Sequence, residues 1–339
     1  MHTILTQADD AAIEQAAQLL AQGQIVAFPT ETVYGIAASA FCGIAVNKIF
    51  EAKGRPQDNP LIVHIDTLDM LEGLVSQVPP SAKKLAEAFW PGPLTMVMPR
   101  GPKVADEVCA GLDTVGIRMP SHPLARKLIT ACGLPLAAPS ANLSGSPSPT
   151  NAQDVFADMD GRLPMILDGG SCQVGVESTV ITLAGPKPML LRPGYVTKEQ
   201  MEEVLGEEVL LSGAILEKLK EGETARSPGM KYKHYAPKAD VTILRGSLEQ
   251  YAAYVQQHQT EGTFCLCFDG EEDVLPVPCV SYGRETSGEE QAHDLFRALR
   301  ALDEQGAKTV YARCPQDTGV SLAVYNRLLR AAAFRVVEL

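Results

Sequence analysis

The chain has 339 residues, 45% of them hydrophobic and 21% charged, with a formal net charge of −12. That length makes two domains the natural expectation, and the composition is that of an ordinary globular protein. The acidic balance argues against a general nucleic-acid coat or an anionic membrane surface as partner, and leaves room for a local basic site.

No apolar run approaches the roughly 20 residues needed to span a bilayer. The opening stretch MHTILTQADDAAIEQAAQLL lacks the basic-then-apolar layout of a secretory signal, so a cytoplasmic setting is expected, with no membrane partner. Eight cysteines are scattered at 42, 109, 132, 172, 265, 267, 279 and 314. None has the two-residue gap of a zinc knuckle or thioredoxin motif. Cys265 and Cys267 share one face of an expected strand. Reduced, buried thiols follow.

Ile13, Ala16, Ala17, Leu20 and Ala21 form a helical stripe that Asp9 or Asp10 can cap and Gly23 ends. Ile25 to Phe28 reads as a buried strand stopped by Pro29. Thr30, Glu31, Thr32 and Tyr34 follow, as turn formers or as ligand contacts. A helix over Ile44–Ala52 is closed by Gly54. Lys53 and Arg55, separated by that glycine, can converge on one polyanion, or simply favour the negative end of the helix. His64 sits in the apolar strand LIVHI, as a satisfied core residue or as a reactive one.

Trp90-Pro91-Gly92-Pro93 joins a helix to a strand. Arg118 then falls inside an apolar strand, between Ile117 and Met119, and needs an anionic partner there: a protein carboxylate or a bound one. A helix over 121–132 is expected, capped by Ser121. The apolar run Leu134–Ala138 stops at Pro139 and gives way to Ser140, Asn142, Ser144, Gly145, Ser146 and Ser148. Such a row of hydroxyls, an amide and backbone N–H groups at a strand end is either a surface loop or a ligand site. Ser178 precedes a further strand, and PMLLRPG ends another on Arg192. Four cations, Lys53, Arg55, Arg118 and Arg192, thus stand at or beside strand ends.

FPTETVYG, KGRPQDNPLIVHI, WPGPLT, VGIRMP, PSANLSGSPSPT, VESTV and LLRPG occur in that order. Together they resemble the threonylcarbamoyl-AMP synthase family, over roughly residues 8–200. SPGMKYKHYAP, at 227–237, is similar to the connector of the family's two-domain form. The resemblance implies an α/β fold: a YrdC-like twisted mixed sheet with flanking helices over 1–211, a linker or lid over 212–239, and a smaller Rossmann-like α/β domain over 240–339. It implies that L-threonine, bicarbonate or carbon dioxide, and ATP with Mg²⁺ condense to threonylcarbamoyl-adenylate and pyrophosphate. That is the first step of a tRNA modification, handed on to a threonylcarbamoyl-transferase complex, with only weak contact to tRNA itself.

Carried over by motif, Lys53, Arg55, Ser140 and Asn142 would hold the phosphates and the Mg²⁺ region. Asn59, Thr114, Ser148 and Arg192 would complete the ATP site. The connector 227–237, with two tyrosines, two lysines and a histidine between prolines, suits a lid better than an inert spacer, and as a lid it would bring Tyr235 and His234 near the phosphates. Thr32, His64, Arg118, the backbone at Ala138, and Ser178 would surround threonine, and Tyr34 would line the pocket. No residue is implied as a resident metal ligand. Threonine's amine and carbon dioxide would form a carbamate whose oxygen attacks the α-phosphorus, so no enzyme nucleophile is required. Positioning and charge neutralisation would carry the catalysis.

Beyond 240 the pattern alternates strand and helix: ADVTILRG, LEQYAAYVQQH, GTFCLCF, VPCVSYG, SGEEQAHDLFRALRALDEQG, KTVYARCP, SLAVYNRLLRAAAF. Ser287 with Glu290 reads as a capping box. No GxGxxG is present, so dinucleotide binding is not expected. Two other readings compete. A non-catalytic RNA-binding module would show salt-dependent tRNA affinity without ATP turnover. A carbamoyl-transfer maturation protein would carry zinc-finger cysteine pairs, which are absent here.

Overall fold

The computed structural model describes residues 2–217 and 235–339. The connector residues Ser227 to His234 lie outside the described residues. The chain divides into two compact units, Met1–Ser144 with Ser148–Lys231, and Gly145–Pro147 with Tyr232–Leu339.

The first unit is built on strands β1 (Ile4–Gln7), β2 (Val26–Phe28), β3 (Gly35–Ser39), β4 (Ile62–His64), β5 (Leu94–Pro99), β6 (Thr114–Arg118), β7 (Leu136–Ala137), β8 (Met165–Asp168), β9 (Thr179–Thr182), β10 (Met189–Arg192) and β11 (Leu210–Leu211). They form one mixed sheet in the order β1-β8-β2-β3-β7-β4-β6-β5-β9-β10-β11. Helices α1 (Asp10–Ala21), α2 (Gly43–Lys53), α3 (Pro80–Phe89), α4 (Asp106–Cys109), α5 (Pro123–Cys132), α6 (Ala152–Met159) and α7 (Lys198–Leu205) pack on it.

Local chemistry sets their ends. Asp9 caps α1 by accepting from the Ala12 N–H, and Gly54 closes α2 in the left-handed conformation at φ 61°. Helix α5 departs from expectation. It starts two residues later, and His122 rather than Ser121 caps it, accepting from Leu124 N at 3.2 Å. Pro123 at the first helical position fits there because it lacks the N–H that a helix start leaves unused.

Alternating strand residues separate two faces. One face is covered along its length by α2, α3, α4, α6 and α7, through Val46, Ile49, Leu85, Val155 and Met201. On the other, α1 and α5 cover only the β8-β2-β3-β7 half, against Val26, Phe28, Ala37, Leu136 and Leu167. Over β4, β6, β5, β9 and β10 the apolar cluster on that second face shrinks to Ile62, Val97, Val180 and Leu191, with no helical residue. Within the first unit, that half of the face is a bay.

The second unit carries β12 (Asp240–Arg245), β13 (Thr263–Cys267), β14 (Cys279–Ser281), β15 (Thr309–Arg313) and β16 (Val336–Glu338), with helices α8 (Leu248–His258), α9 (Gly288–Glu304) and α10 (Ser321–Ala331). The sheet is wholly parallel, in the order β14-β13-β15-β12-β16. β16 is an element that the sequence pattern alone did not mark. Ser287 caps α9, but the reciprocal half of the expected box is missing, because Glu290 turns its carboxylate to Arg284. All eight cysteines are free, and four of them are buried. Among the described residues, no helix is long and apolar enough to cross a membrane.

Candidate active site

Register builds the bay. His64 on β4 lies opposite Arg118 on β6, and Arg118 lies opposite Thr95 on β5. In-register neighbours share a face, so these three side chains form a polar row. The row behind it is Ile62, Gly116 and Val97, and Thr114 follows two residues from Gly116 on the same face. Ile62 and Val97 give that floor an apolar surface, and Gly116 between them lets Thr95 Cγ2 pack close against the backbone. A Cβ added there would lie 3.2 Å from Thr95 Cγ2. A polar row beside an apolar floor suits a ligand with a charged end and a flat hydrophobic one.

Arg118 is the charged centre of the row. Its Nη2 lies 2.8 Å from Oε1 of Glu31, with side-chain exposures of 4% and 5%. Its Nη1 donates to Thr32 Oγ1 at 2.9 Å, and Thr32 contacts Thr30 at 2.8 Å. Neither Glu31 oxygen makes a well-aligned hydrogen bond, and Arg118 Nε is likewise unmatched among the described residues. Burial by itself would raise the Glu31 carboxyl, but the Arg118 guanidinium outweighs it, helped by the N–H groups of Glu31 and Ser121, and holds it below the usual range. Burial, with the Arg118 charge adding to it, pushes His64 down to about 3. His64 is therefore neutral at physiological pH, and its Nδ1 has no partner among the described residues.

On the other side of the row, Thr95 Oγ1 and Ser178 Oγ are 2.8 Å apart. Arg192 reaches the same serine from β10, donating from Nε to its carbonyl at 3.1 Å and from Nη2 to its hydroxyl at 3.2 Å. This approach depends on Gly194, where a Cβ would stand 2.3 Å from the Thr179 nitrogen.

The loop after β7 carries the next group of polar residues. Lys53, only 3% exposed, donates from Nζ to the carbonyls of Ser140 and Asn142, both at 2.5 Å. Ser140 Oγ donates to Asn142 Oδ1 at 2.6 Å, and Ser148 Oγ donates to Glu177 Oε1 at 2.5 Å. Backbone bonds from Tyr34 to Pro149 and from Ala141 to Tyr34 stitch the loop to the segment before β3. Arg55 Nη2 donates to the carbonyls of Asn59 and Pro60, at 3.1 and 3.2 Å. Asn59 is buried, and its Oδ1 lacks a partner among the described residues. Among those residues no cluster of three or more His, Cys, Asp or Glu could hold a metal ion.

A family model for Sua5–YciO–YrdC proteins, described as "Telomere recombination", matches residues 18–194. Another, described as "Threonylcarbamoyl-AMP synthase, C-terminal domain", matches 196–333. The chain belongs to the threonylcarbamoyl-AMP synthase family. A Bacillus subtilis (strain 168) protein of that name is 49% identical over 334 residues, covering 97% of this chain and 95% of the relative. A Pyrococcus abyssi protein of the same name is 43% identical, covering 96% and 95%. The solved structure of P. abyssi Sua5 complexed with L-threonine superposes with a TM-score of 0.89 at 41% identity, covering 100% of this chain and 99% of that one. A doubly substituted form of the same protein gives 0.92, covering 99% and 98%.

For a threonylcarbamoyl-AMP synthase family member, the arrangement groups the expected residues in three sets. Thr32, His64 and Arg118 share one end of the polar row, while Ser178 and Arg192 stand beyond Thr95. Lys53, Ser140 and Asn142 are joined through the loop. Ala138 donates its N–H to the Ile62 carbonyl. Tyr34 donates its hydroxyl to Gly170 O at 2.7 Å and braces the Gly169–Gly170 turn. Tyr235 belongs to the second unit, where its ring packs 5.2 Å from Phe296 and 5.9 Å from the Arg327 guanidinium.

Thr95 and Glu177 were absent from the expected set, and Glu31 stood in it only as a turn former or a ligand contact. Glu31 had a signal in the sequence: an arginine inside an apolar strand demands a carboxylate, and FPTETVYG supplies one. Of the two partners left open for Arg118, the structure shows the protein carboxylate.

Proposed function

We propose that this protein condenses L-threonine, bicarbonate or carbon dioxide, and MgATP into L-threonylcarbamoyladenylate and pyrophosphate. It acts as a nucleotidyltransferase in the cytoplasm, at the first step of threonylcarbamoyl-adenosine formation in tRNA. The observation that carries the reading is the buried Arg118 row set against an apolar floor, on the half of the sheet that α1 and α5 leave uncovered. Arg118 takes the threonine carboxylate, with Thr32, His64 and Ser178 around the rest of the amino acid. The adenosine lies over Ile62, Gly116 and Val97, between Asn59 and Thr114.

Lys53, Arg55, Ser140, Asn142, Ser148 and Arg192 face the phosphates, and Mg²⁺ arrives as part of the MgATP substrate. The carbamate oxygen forms a bond to the α-phosphorus as the bond to pyrophosphate breaks. The residues contribute by holding two anions together and stabilising the leaving charge, with water excluded from a labile anhydride. Eight free thiols support a reducing compartment. The transferase complex downstream is a transient partner, and contact with tRNA is weak.

The test is pyrophosphate release from ATP with threonine and bicarbonate each omitted in turn. Release that requires both supports the reading. Release indifferent to threonine, or tRNA retention without ATP turnover, would overturn it.

A further inference from the structure

Threonine reaches the site with its nitrogen protonated, and an ammonium has no lone pair with which to attack carbon. A neighbouring group has to take a proton first. Among the described residues, titratable groups that face the Glu31–Arg118 pair include His64 on β4, His122 ahead of α5, and Cys172 in the loop after β8. His64 is lowered first by burial, which a substrate on Arg118 does not relieve, so it stays a weak base. His122 is also lowered by burial, and its Nδ1 already accepts from Leu124 N. Burial pushes the Cys172 thiol up to about 12, so it keeps its proton. Glu31 is different: an ionised carboxylate, buried, with neither oxygen in a well-aligned hydrogen bond among the described residues, and paired with the arginine assigned to the substrate carboxylate.

Resting on the function proposed above, we infer that Glu31 is the general base of carbamate formation, and that threonine frees it by taking its place on Arg118. An α-amino acid carries ammonium and carboxylate on one carbon. A threonine held by Arg118 therefore brings its nitrogen beside whatever else Arg118 holds. Once the guanidinium is shared with the substrate, burial again governs Glu31, and its proton affinity rises as the ammonium arrives.

The step balances with bicarbonate. An N–H bond of the ammonium breaks, its electron pair stays on nitrogen, and the proton bonds to a Glu31 oxygen. The nitrogen pair forms the C–N bond at the bicarbonate carbon. The C–OH bond breaks, and the hydroxide leaves as water with a second proton from nitrogen. Threonine ammonium, bicarbonate and Glu31 carboxylate become carbamate, water and the Glu31 acid.

The experiment compares wild type, Glu31→Gln and Glu31→Asp in pyrophosphate release between pH 6.5 and 9, with threonine affinity measured by calorimetry. In Glu31→Gln, kcat/KM for threonine should fall by about 10²–10⁴-fold near pH 7. The residual rate should climb about tenfold per pH unit with the free amine, while wild type stays nearly level. Threonine affinity should hold or tighten, because the competing carboxylate is gone. Glu31→Asp should keep the wild-type profile with a reduced kcat.

Parallel loss of threonine affinity and activity in Glu31→Gln, with an unchanged pH profile, would make Glu31 a positioning residue for Arg118 and overturn the inference. So would full activity of that variant. If the Gln variant fails to fold, Glu31→Asp decides alone, since a loss confined to threonine affinity with kcat intact contradicts a base. A wild type that releases pyrophosphate without threonine counts against the proposed function itself, not against this assignment within it.

Discussion

Arg118 and Glu31 meet at 2.8 Å, across the 87 positions from 31 to 118, with each side chain at most 5% exposed. A pair this deep gains little net stability, because desolvation offsets the attraction, but removing one partner strands a buried charge.

Arg118→Ala should therefore destabilise the first unit by about 3–5 kcal/mol in urea unfolding. Replacing both partners, as Arg118→Met with Glu31→Leu, should recover most of that loss. In a folded Arg118→Ala sample, threonine affinity should drop roughly 10- to 150-fold, the equivalent of ~1.5–3 kcal/mol for a charge-assisted bond. ATP affinity should change little. Calorimetry on both ligands separates the outcomes, and equal loss of both would reject the division into subsites.

Lys53→Met removes the ammonium that gathers the Ser140 and Asn142 carbonyls. The loop should loosen, with faster amide exchange across 140–151, and ATP affinity should fall at least tenfold, about 1.4 kcal/mol, while threonine affinity stays near wild type. Exchange mass spectrometry reads the first effect and calorimetry the second. Unchanged exchange would show that Lys53 does not brace the loop.

Gly116→Val puts a side chain on the bay floor where the Cβ alone would lie 3.2 Å from Thr95 Cγ2. Valine suits a strand backbone, but Thr95 has to give way, so the first unit should lose about 1–3 kcal/mol of stability, and the KM for ATP should rise at least about tenfold as the ligand loses its bed. A wild-type KM would place the adenosine elsewhere.

The acid stability of the first unit should carry the signature of His64. Its value falls from the usual 6.5 to about 3 on folding, so below pH 6.5 the unfolded chain binds a proton that the folded one refuses. Stability is full above that pH and declines as pH drops toward 3, by about 1.4 kcal/mol per unit for one proton. Glu31 adds to the decline only below its usual 4.5. Between pH 6.5 and 4.5, His64→Asn should flatten the slope of urea-unfolding free energy by up to one proton. An identical slope in the variant would mean that His64 titrates normally.

The motifs by themselves determined the family and, through it, the mixed α/β class; the residues determined most strand cores and the caps at Asp9 and Gly54, because those rest on contacts between near neighbours. The sequence also determined that Arg118 required an anion. Only the tertiary structure decided which anion, because Glu31 and Arg118 meet through the register of distant strands. Thr95 and Gly116 entered the site in the same way: nothing local distinguishes a threonine or a glycine in an apolar strand until β4, β6 and β5 stand in line. Only folding, too, brings the Ser140 and Asn142 carbonyls to Lys53. Burial leaves a lysine no water to satisfy it, and the nearest backbone oxygens do so instead. Short-range chemistry was legible in the chain, whereas the pairing of charges, set by strand order and desolvation, belonged to the fold.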